Sequence, residues 1–312
     1  MSELLKNIDA RTKLAGTNKL EILMFSLGKD MRGQREETFG INVFKVREVM
    51  RIPEITRAPE MPSSVEGMVS LRGALVPVID LAKYIGMETE GKPEIMIVTE
   101  YNGQTQGFLV KAVDNILRLD WSAMRVPPAM LLAEMGGLVT AVTELKDGRL
   151  VMMVDVEKVL SETSRYDNEI IFKNVKSLGK DRTVFFCDDS SVARNQIIRT
   201  LDAMEVKYVF AINGLQAWEE LVKMADSADV THTPLKGSLH AILTDVEMPE
   251  MDGYMLTRKI KADKRFAGIP VLMHSSLSSS SNQQLGKAVG VDEYVPKFEP
   301  QKLSQILTKL LV

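Results

Sequence analysis

The sequence predicts a two-domain protein: an all-β half of barrel type, followed by an α/β half built on a parallel sheet. Three observations carry this. Residues 19–160 hold many short apolar stretches of period two, separated by Gly- and Pro-bearing turns. From residue 181 onward, short apolar strands alternate with amphipathic helical segments. In that second half, acidic residues stand repeatedly where an apolar strand stops. A length of 312 residues suits about two domains, and 45% apolar content is enough for each to bury a core.

Residues 1–18 mix Glu3, Lys6, Asp9, Arg11 and Lys13 with short apolar groups, and Leu4, Leu5 and Ile8 predict a short helix with a flexible tail. No apolar run there has the length of a secretory leader's core. Leu20, Ile22, Met24 and Leu27 predict a strand, with a hairpin partner at 39–44. Val46, Val49 and Met50 recur at near-helical spacing and predict one helical turn at most. Pro53, Pro59 and Pro62 then enforce an extended path. Residues 65–81 read as a hairpin turning at Arg72-Gly73, and further strands are expected at 94–99, 106–110, 116–119, 138–144 and 150–154. Such a series of short strands indicates a β-barrel architecture.

The first half also echoes itself. Gly73, Leu75, Val76, Asp80 and Lys83 match Gly148, Leu150, Val151, Asp155 and Lys158 at one constant offset. Each set is followed by an apolar pair, Tyr84-Ile85 and Val159-Leu160. Two related sub-barrels are the natural inference. Residues 161–180 are polar and form the expected linker, within which Ile170-Ile171-Phe172 is able to dock on either domain.

In the second half, Thr183–Cys187 is an apolar strand that runs into Asp188-Asp189. A helix with Val192, Ile197, Ile198, Leu201 and Met204 on one face comes next, then a strand at 207–211. The next helix starts at Gly214 with Leu215, Trp218, Leu221 and Val222, and residues 225–237 form a connection longer than the pattern needs. The strand at 241–244 ends at Asp245, and Met248-Pro249 and Asp252-Gly253 after it are turn chemistry. Strands at 271–274 and 293–296 end in Ser275 and Lys297, and Leu303, Ile306, Leu307 and Leu310 mark a last helix. In an open parallel sheet the carboxyl edge is where ligands bind. Asp188, Asp189 and Asp245 converging there would repel one another unless a hard cation sat between them. Mg²⁺ suits such oxygen ligands.

An acid pair, a lone Asp, a hydroxyl and a Lys, each at a strand end and in that order, resemble the receiver domain of response regulators. The resemblance implies a flavodoxin-like (βα)5 fold. It makes Asp245 the phosphoryl acceptor and Asp188 and Asp189 the Mg²⁺ anchors, with Asp245 and the Glu247 carbonyl completing the protein ligands. Ser275 takes the place of the switch hydroxyl, Tyr294 that of the switch aromatic, and Lys297 that of the phosphate-binding ammonium. The chemistry fits on its own terms: a carboxylate attacks phosphorus when a cation and an ammonium neutralise the oxygens of the transferring group. Glu247 and Leu277, each two residues past a site residue, are expected to border the path of a hydrolytic water. Receivers usually carry Lys-Pro at the last strand; here Pro296 precedes Lys297 and Phe298 comes after it, an order that bears on the reach of the ammonium.

Gly40-Ile41 through Lys45-Val46-Arg47-Glu48-Val49, and Gly67 through Leu71-Arg72-Gly73-Ala74-Leu75-Val76-Pro77-Val78-Ile79-Asp80-Leu81, resemble the CheW-like coupling domain of bacterial chemotaxis over residues 19–160. The resemblance implies a double SH3-like barrel that joins chemoreceptor tails to the chemotaxis histidine kinase. Val46, Glu48 and Arg72 become candidate receptor contacts, Arg72 as a hairpin-tip guanidinium suited to a carboxylate. The order of the two domains, at 19–160 and 181–312, resembles CheV-type coupling proteins. That resemblance implies a cytoplasmic scaffold, not an enzyme beyond its own phosphorylation, held at membrane receptor arrays through protein contacts. A phosphate sink that drains the kinase is the alternative.

Composition excludes other classes. With 39 basic against 42 acidic residues there is no excess charge for nucleic acid or anionic lipid. Cys187 is the lone cysteine and reads as a buried hydrophobe, so no intrachain disulfide is possible. No apolar run reaches the ~20 residues that span a bilayer. His232, His240 and His274 lack metal-ligand spacing and read as surface or strand residues. The 19 methionines are scattered as core filler.

Overall fold

The computed structural model describes residues 19–33, 35–57, 59–101, 104–163, 175–179, 181–275 and 280–311. The chain divides into two compact units, one dominated by residues 20–119 and 124–165 and the other by the residues after them. The N-terminal helix expected within residues 1–18 lies outside the described residues, as does Ile170-Ile171-Phe172 of the expected linker.

Among its described residues the first unit has ten strands: β1 (Lys19–Lys29), β2 (Glu36–Asn42), β3 (Val46–Arg51), β4 (Val65–Leu71), β5 (Ala74–Asp80), β6 (Ile95–Tyr101), β7 (Gln104–Val110), β8 (Ala112–Asp120), β9 (Val139–Glu144) and β10 (Leu150–Val154). Short helices α1 (Leu81–Tyr84), α2 (Ala129–Glu134) and α3 (Val156–Thr163) punctuate them. The strands form two five-stranded sheets, ordered β8-β1-β2-β10-β9 and β3-β6-β7-β5-β4. One hydrophobic core serves both: Leu23, Phe25, Phe39 and Ile41 of the first sheet cluster with Ile79, Ile97, Phe108 and Val110 of the second. That is why β1 is buried along nearly its whole length.

The sequence echo maps onto equivalent strands of the two sheets. β5 and β10 each occupy the fourth place in their sheet. Each runs antiparallel to the strand before it in the chain and parallel to its other neighbour. Gly73 and Gly148 make the preceding turns at φ of 84° and 83°, a backbone region open to glycine without a Cβ penalty. Asp80 and Asp155 then cap the helices that come next. Asp80 Oδ1 accepts from the Lys83 amide at 3.1 Å, and Asp155 Oδ1 accepts from the Glu157 and Lys158 amides at 3.0 Å.

The near-helical spacing at Val46, Val49 and Met50 is not a helical turn: a 3-10 turn covers only Val43–Lys45, and Val46 begins β3. Antiparallel pairing with β6, interrupted by a bulge between Val46 and Glu48, overrides the local spacing. The first residues of the expected linker, Ser161–Thr163, are helical and complete α3.

The second unit alternates β11 (Thr183–Cys187), α4 (Ser191–Ala203), β12 (Lys207–Ala211), α5 (Gly214–Val230), β13 (Ala241–Thr244), α6 (Gly253–Ala262), β14 (Val271–Ser275), α7 (Ser280–Val289), β15 (Glu293–Pro296) and α8 (Pro300–Leu311). The sheet is parallel throughout, in the order β12-β11-β13-β14-β15. Strand periodicity splits its two faces cleanly. Phe185, Cys187 and Ile242 join the core beneath α5 and α6, whereas Val184, Phe186, Ala241 and Leu243 join the one beneath α4 and α8. Side-chain caps start the helices: Ser190 accepts from the Ala193 amide, Asn213 from that of Gln216 and Asp252 from that of Met255.

The long connection expected at 225–237 is mostly helix. α5 runs on to Val230 because Ala225 and Ala228 extend the buried face of Leu221, and Leu235 is buried in a 3-10 turn at Leu235–Gly237. Alanine is a weak apolar signal in a sequence but packs closely against a sheet.

Candidate functional site

Strand order reverses between β12-β11 and β11-β13, so the crevice outside the carboxyl ends of β11 and β13 is the topological switch point of the sheet. Asp188 and Asp189 come directly after β11 there, and Asp245 directly after β13. The structure brings their carboxylates together: one oxygen from each lies within 4.8 Å of the others. Asp188 and Asp245 are 0% and 3% exposed, and Asp189 is half-buried.

Each loop is held locally. The Ser190 amide donates to Asp188 Oδ1 at 2.9 Å and the Val246 amide to Asp245 Oδ1 at 2.6 Å. Arg194, one turn into α4, donates from a single guanidinium nitrogen to the Asp188 and Asp189 carbonyls at 2.9 and 2.8 Å. Gly253 is obligatory, because a Cβ at that position would lie 1.9 Å from the Asp245 carbonyl oxygen.

β14 and β15 bring the remaining residues. Lys297, 2% exposed, places Nζ 3.0 Å from both Asp245 Oδ2 and Asp188 Oδ2. The Pro-Lys order therefore costs no reach. Pro296 ends β15, an edge strand with no further neighbour to need an amide hydrogen from it. The Lys297 amide donates to the Ser275 carbonyl at 3.2 Å, and Phe298 turns the chain away at a φ of 61°. Ser275 is buried at 1%, Glu247 is 9% exposed on the Asp245 loop, and Tyr294 is half-buried on β15. Leu277 lies outside the described residues.

Charge balance shows what the site can hold. Three carboxylates against one ammonium leave a formal −2 within a crevice two of whose acids are buried. Burying like charges so close is costly unless they are neutralised, and the donor set is all oxygen, which matches a hard divalent cation such as Mg²⁺. Asp188, Asp189 and Asp245 fit that ion. Nearby, burial raises the Asp252 carboxyl from its ordinary 3.8 to about 6 and the Cys187 thiol to about 12. Cys187 is thus the inert buried hydrophobe expected of it.

Sequence reasoning misses three participants. Arg194, tied to two loop carbonyls, belongs to no motif read from the sequence, and neither does Tyr254, whose hydroxyl lies 3.2 Å from that of Tyr294. His274 reads as strand filler; it is 2% exposed, with Nδ1 3.9 Å from Asp188 Oδ2. Arg194 is legible in principle as a cation one turn past a capping Ser190, whereas the other two are contacts between strands or helices distant in sequence.

In the β unit the structure treats the three candidate contacts differently. Arg72 sits at the β4–β5 hairpin with φ 49°, its side chain 70% exposed, and a guanidinium nitrogen lies 2.9 Å from Glu48 Oε2. Glu48 comes from β3. Val46 is 8% exposed and packs in the shared core, because the β3–β6 pairing turns its side chain inward.

With both sites in view, comparisons with known proteins place the chain. The family profile of the CheW-like domain matches residues 21–164, and that of the response regulator receiver domain matches residues 184–308. Chemotaxis protein CheV3 of Helicobacter pylori is 31% identical over 285 residues, covering 88% of this chain and 89% of that protein. The chain belongs to the CheV family. It is a chemotaxis protein with a CheW-like domain followed by a receiver domain. Chemotaxis protein CheV1 of the same organism is 28% identical over 331 residues, covering 100% of this chain and 99% of that one. Among solved structures, the scaffolding protein TtCheW from Thermoanaerobacter tengcongensis is 29% identical, covers 44% of this chain and 88% of its own, and superposes with a TM-score of 0.38. Among the described residues of this CheV-family chain, no helix is long and apolar enough to cross a membrane.

Proposed function

We propose that the protein couples chemoreceptor tails to the chemotaxis histidine kinase through its CheW-like domain, and that phosphorylation of Asp245 tunes this coupling in an adaptation-like role. The observation that carries it is the convergence of Asp188, Asp189 and Asp245 on one point, with Lys297 bridging Asp245 and Asp188. In the proposed reaction an Asp245 carboxylate oxygen attacks the phosphorus of a phosphohistidine. The new O–P bond forms as the N–P bond breaks, and the imidazole leaves.

Asp188, Asp189, Asp245 and the Glu247 carbonyl would hold Mg²⁺, which when bound neutralises charge on the transferring group. Lys297 neutralises a further phosphoryl oxygen and, with the Ser275 hydroxyl, draws the loops onto the new phosphate. Tyr294 then moves into the space that Ser275 vacates. Val46, Glu48 and Arg72 are the proposed receptor contacts in the other unit, and the protein would sit in the cytoplasm at receptor arrays.

The test is a pull-down with receptor tails and kinase, with and without acetyl phosphate and Mg²⁺. Binding should change with phosphodonor in the wild type and not in Asp245→Ala, which should also lose all acid-labile label. Persisting acid-stable label on Ser275 would overturn the assignment. In the alternative, a phosphate sink, the label appears but kinase control survives unchanged in Asp245→Ala.

A further inference from the structure

Tyr254 is the second residue of α6, buried at 2% exposure, and its hydroxyl is within hydrogen-bond distance of the Tyr294 hydroxyl at 3.2 Å. A buried phenol needs a polar partner, since an unmet hydroxyl forfeits its hydration without return. The two rings meet in a small apolar cluster with Val246, Met273, Val289 and Val291. Burial pushes the Tyr254 phenol up to about 12 and raises that of Tyr294 as well, so both remain neutral O–H groups at any physiological pH.

A second observation points to the same pocket. Gly286 lies inside α7, where glycine is the least favourable residue other than proline. A Cβ there would lie 2.8 Å from Tyr294 Cε2 and 3.3 Å from Cδ2. The missing methyl is the slot into which the edge of the Tyr294 ring fits. Tyr254 in turn is anchored to the Asp245 loop, because the Gly253 amide donates to the Val246 carbonyl at 2.9 Å and Asp252 caps the same helix.

We propose that Tyr254 is a positioning residue: its hydroxyl holds Tyr294 half-buried in the Gly286 slot and ties that position to the loop carrying Asp245. This rests on the reading of Tyr294 as the switch aromatic. A change in the loop at Asp245 is then transmitted through the start of α6 to Tyr294, alongside any route through Ser275. The bias is set by a neutral hydrogen bond, small enough for a phosphoryl group to reverse.

The experiment labels the full chain with 3-fluorotyrosine, assigns the Tyr294 fluorine resonance through Tyr294→Phe, and measures its relaxation by a soluble paramagnetic agent without phosphodonor. Tyr254→Phe keeps the ring and removes the hydroxyl. It should raise the solvent-exposed population of Tyr294 about fivefold, the equilibrium worth of one neutral hydrogen bond. Gly286→Ala, which fills the slot from the opposite side, should raise it as well. A merely structural Tyr254 would change thermal stability and leave this signal where it was. Equal protection of Tyr294 in wild type and Tyr254→Phe overturns the proposal; if that variant does not fold, equal protection in Gly286→Ala does so. Beryllium fluoride and Mg²⁺ are added last. A wild-type protein that ignores them argues against the phosphorylation reading alone, because the resting exposure has already been recorded.

Discussion

Both units set a cation against a carboxylate at nearly the same distance, in opposite surroundings. Lys297 meets Asp245 and Asp188 at 3.0 Å with 2% of its side chain exposed, whereas Arg72 meets Glu48 at 2.9 Å with 70% exposed. Contact length says little about worth. In the receiver crevice neither partner has water to fall back on, so removing one leaves charge stranded. At the hairpin tip water and salt screen the guanidinium, which stays open to another carboxylate, while the Glu48 side chain is only 21% exposed. The first arrangement suits a site that must respond to added charge, and the second suits a surface that exchanges one partner for another.

The largest effect is expected at Lys297. Lys297→Ala should destabilise the receiver transition by about 3–5 kcal/mol in denaturant unfolding, because buried carboxylates lose their counter-charge. Mg²⁺ should restore part of that loss. A loss below about 1 kcal/mol would mean that the crevice is wetter than its burial implies.

Arg72→Glu tests the other side. Stability should move by no more than about 1 kcal/mol, as for exposed pairs generally. Affinity for receptor tails should fall by roughly ten- to a hundredfold, matching the ~1.5–3 kcal/mol of a charge-assisted contact. Asp245 labelling should not change. Unaltered affinity in a binding titration removes Arg72 from the receptor surface.

Asp252 adds a dependence on pH. Its carboxyl is raised from 3.8 to about 6 by burial, so the folded state holds the proton more tightly than the unfolded chain. Its contribution to stability is therefore fully present below the unfolded value and lost as pH rises through about 6. The span corresponds to about 1–3 kcal/mol. Asp252→Asn keeps a capping oxygen and should flatten the receiver's stability between pH 4 and 7 relative to wild type. Parallel pH curves for the two proteins would show that Asp252 titrates as an ordinary exposed acid.

The smallest expected effect concerns phosphoryl lifetime. Glu247, 9% exposed on the Asp245 loop, adds negative charge beside the proposed phosphate and crowds the water's approach. Glu247→Asn should speed phosphate release at saturating Mg²⁺ by a factor on the order of five, about 1 kcal/mol of barrier. Identical decay in both proteins would show that Glu247 does not gate the water.

Local sequence specified where strands end and what stands there. Asp188, Asp189, Asp245, Ser275 and Lys297 each come at the end of an apolar run, and apolar runs bounded by turn residues are local information. It also determined the duplicated plan of the β unit, because Gly73 and Gly148 serve turns and Asp80 and Asp155 serve caps, both short-range needs. Only the tertiary structure decided that Val46 points into the core, since strand pairing with β6 overrode a helix-like spacing. Only it carried α5 through Ala225 and Ala228, whose small side chains count for little until a sheet lies against them. And only it brought Glu48 to Arg72, His274 to Asp188 and Tyr254 to Tyr294. Those pairs join residues 24 to 86 positions apart, and no local propensity encodes a contact that exists only once both strands or helices are packed.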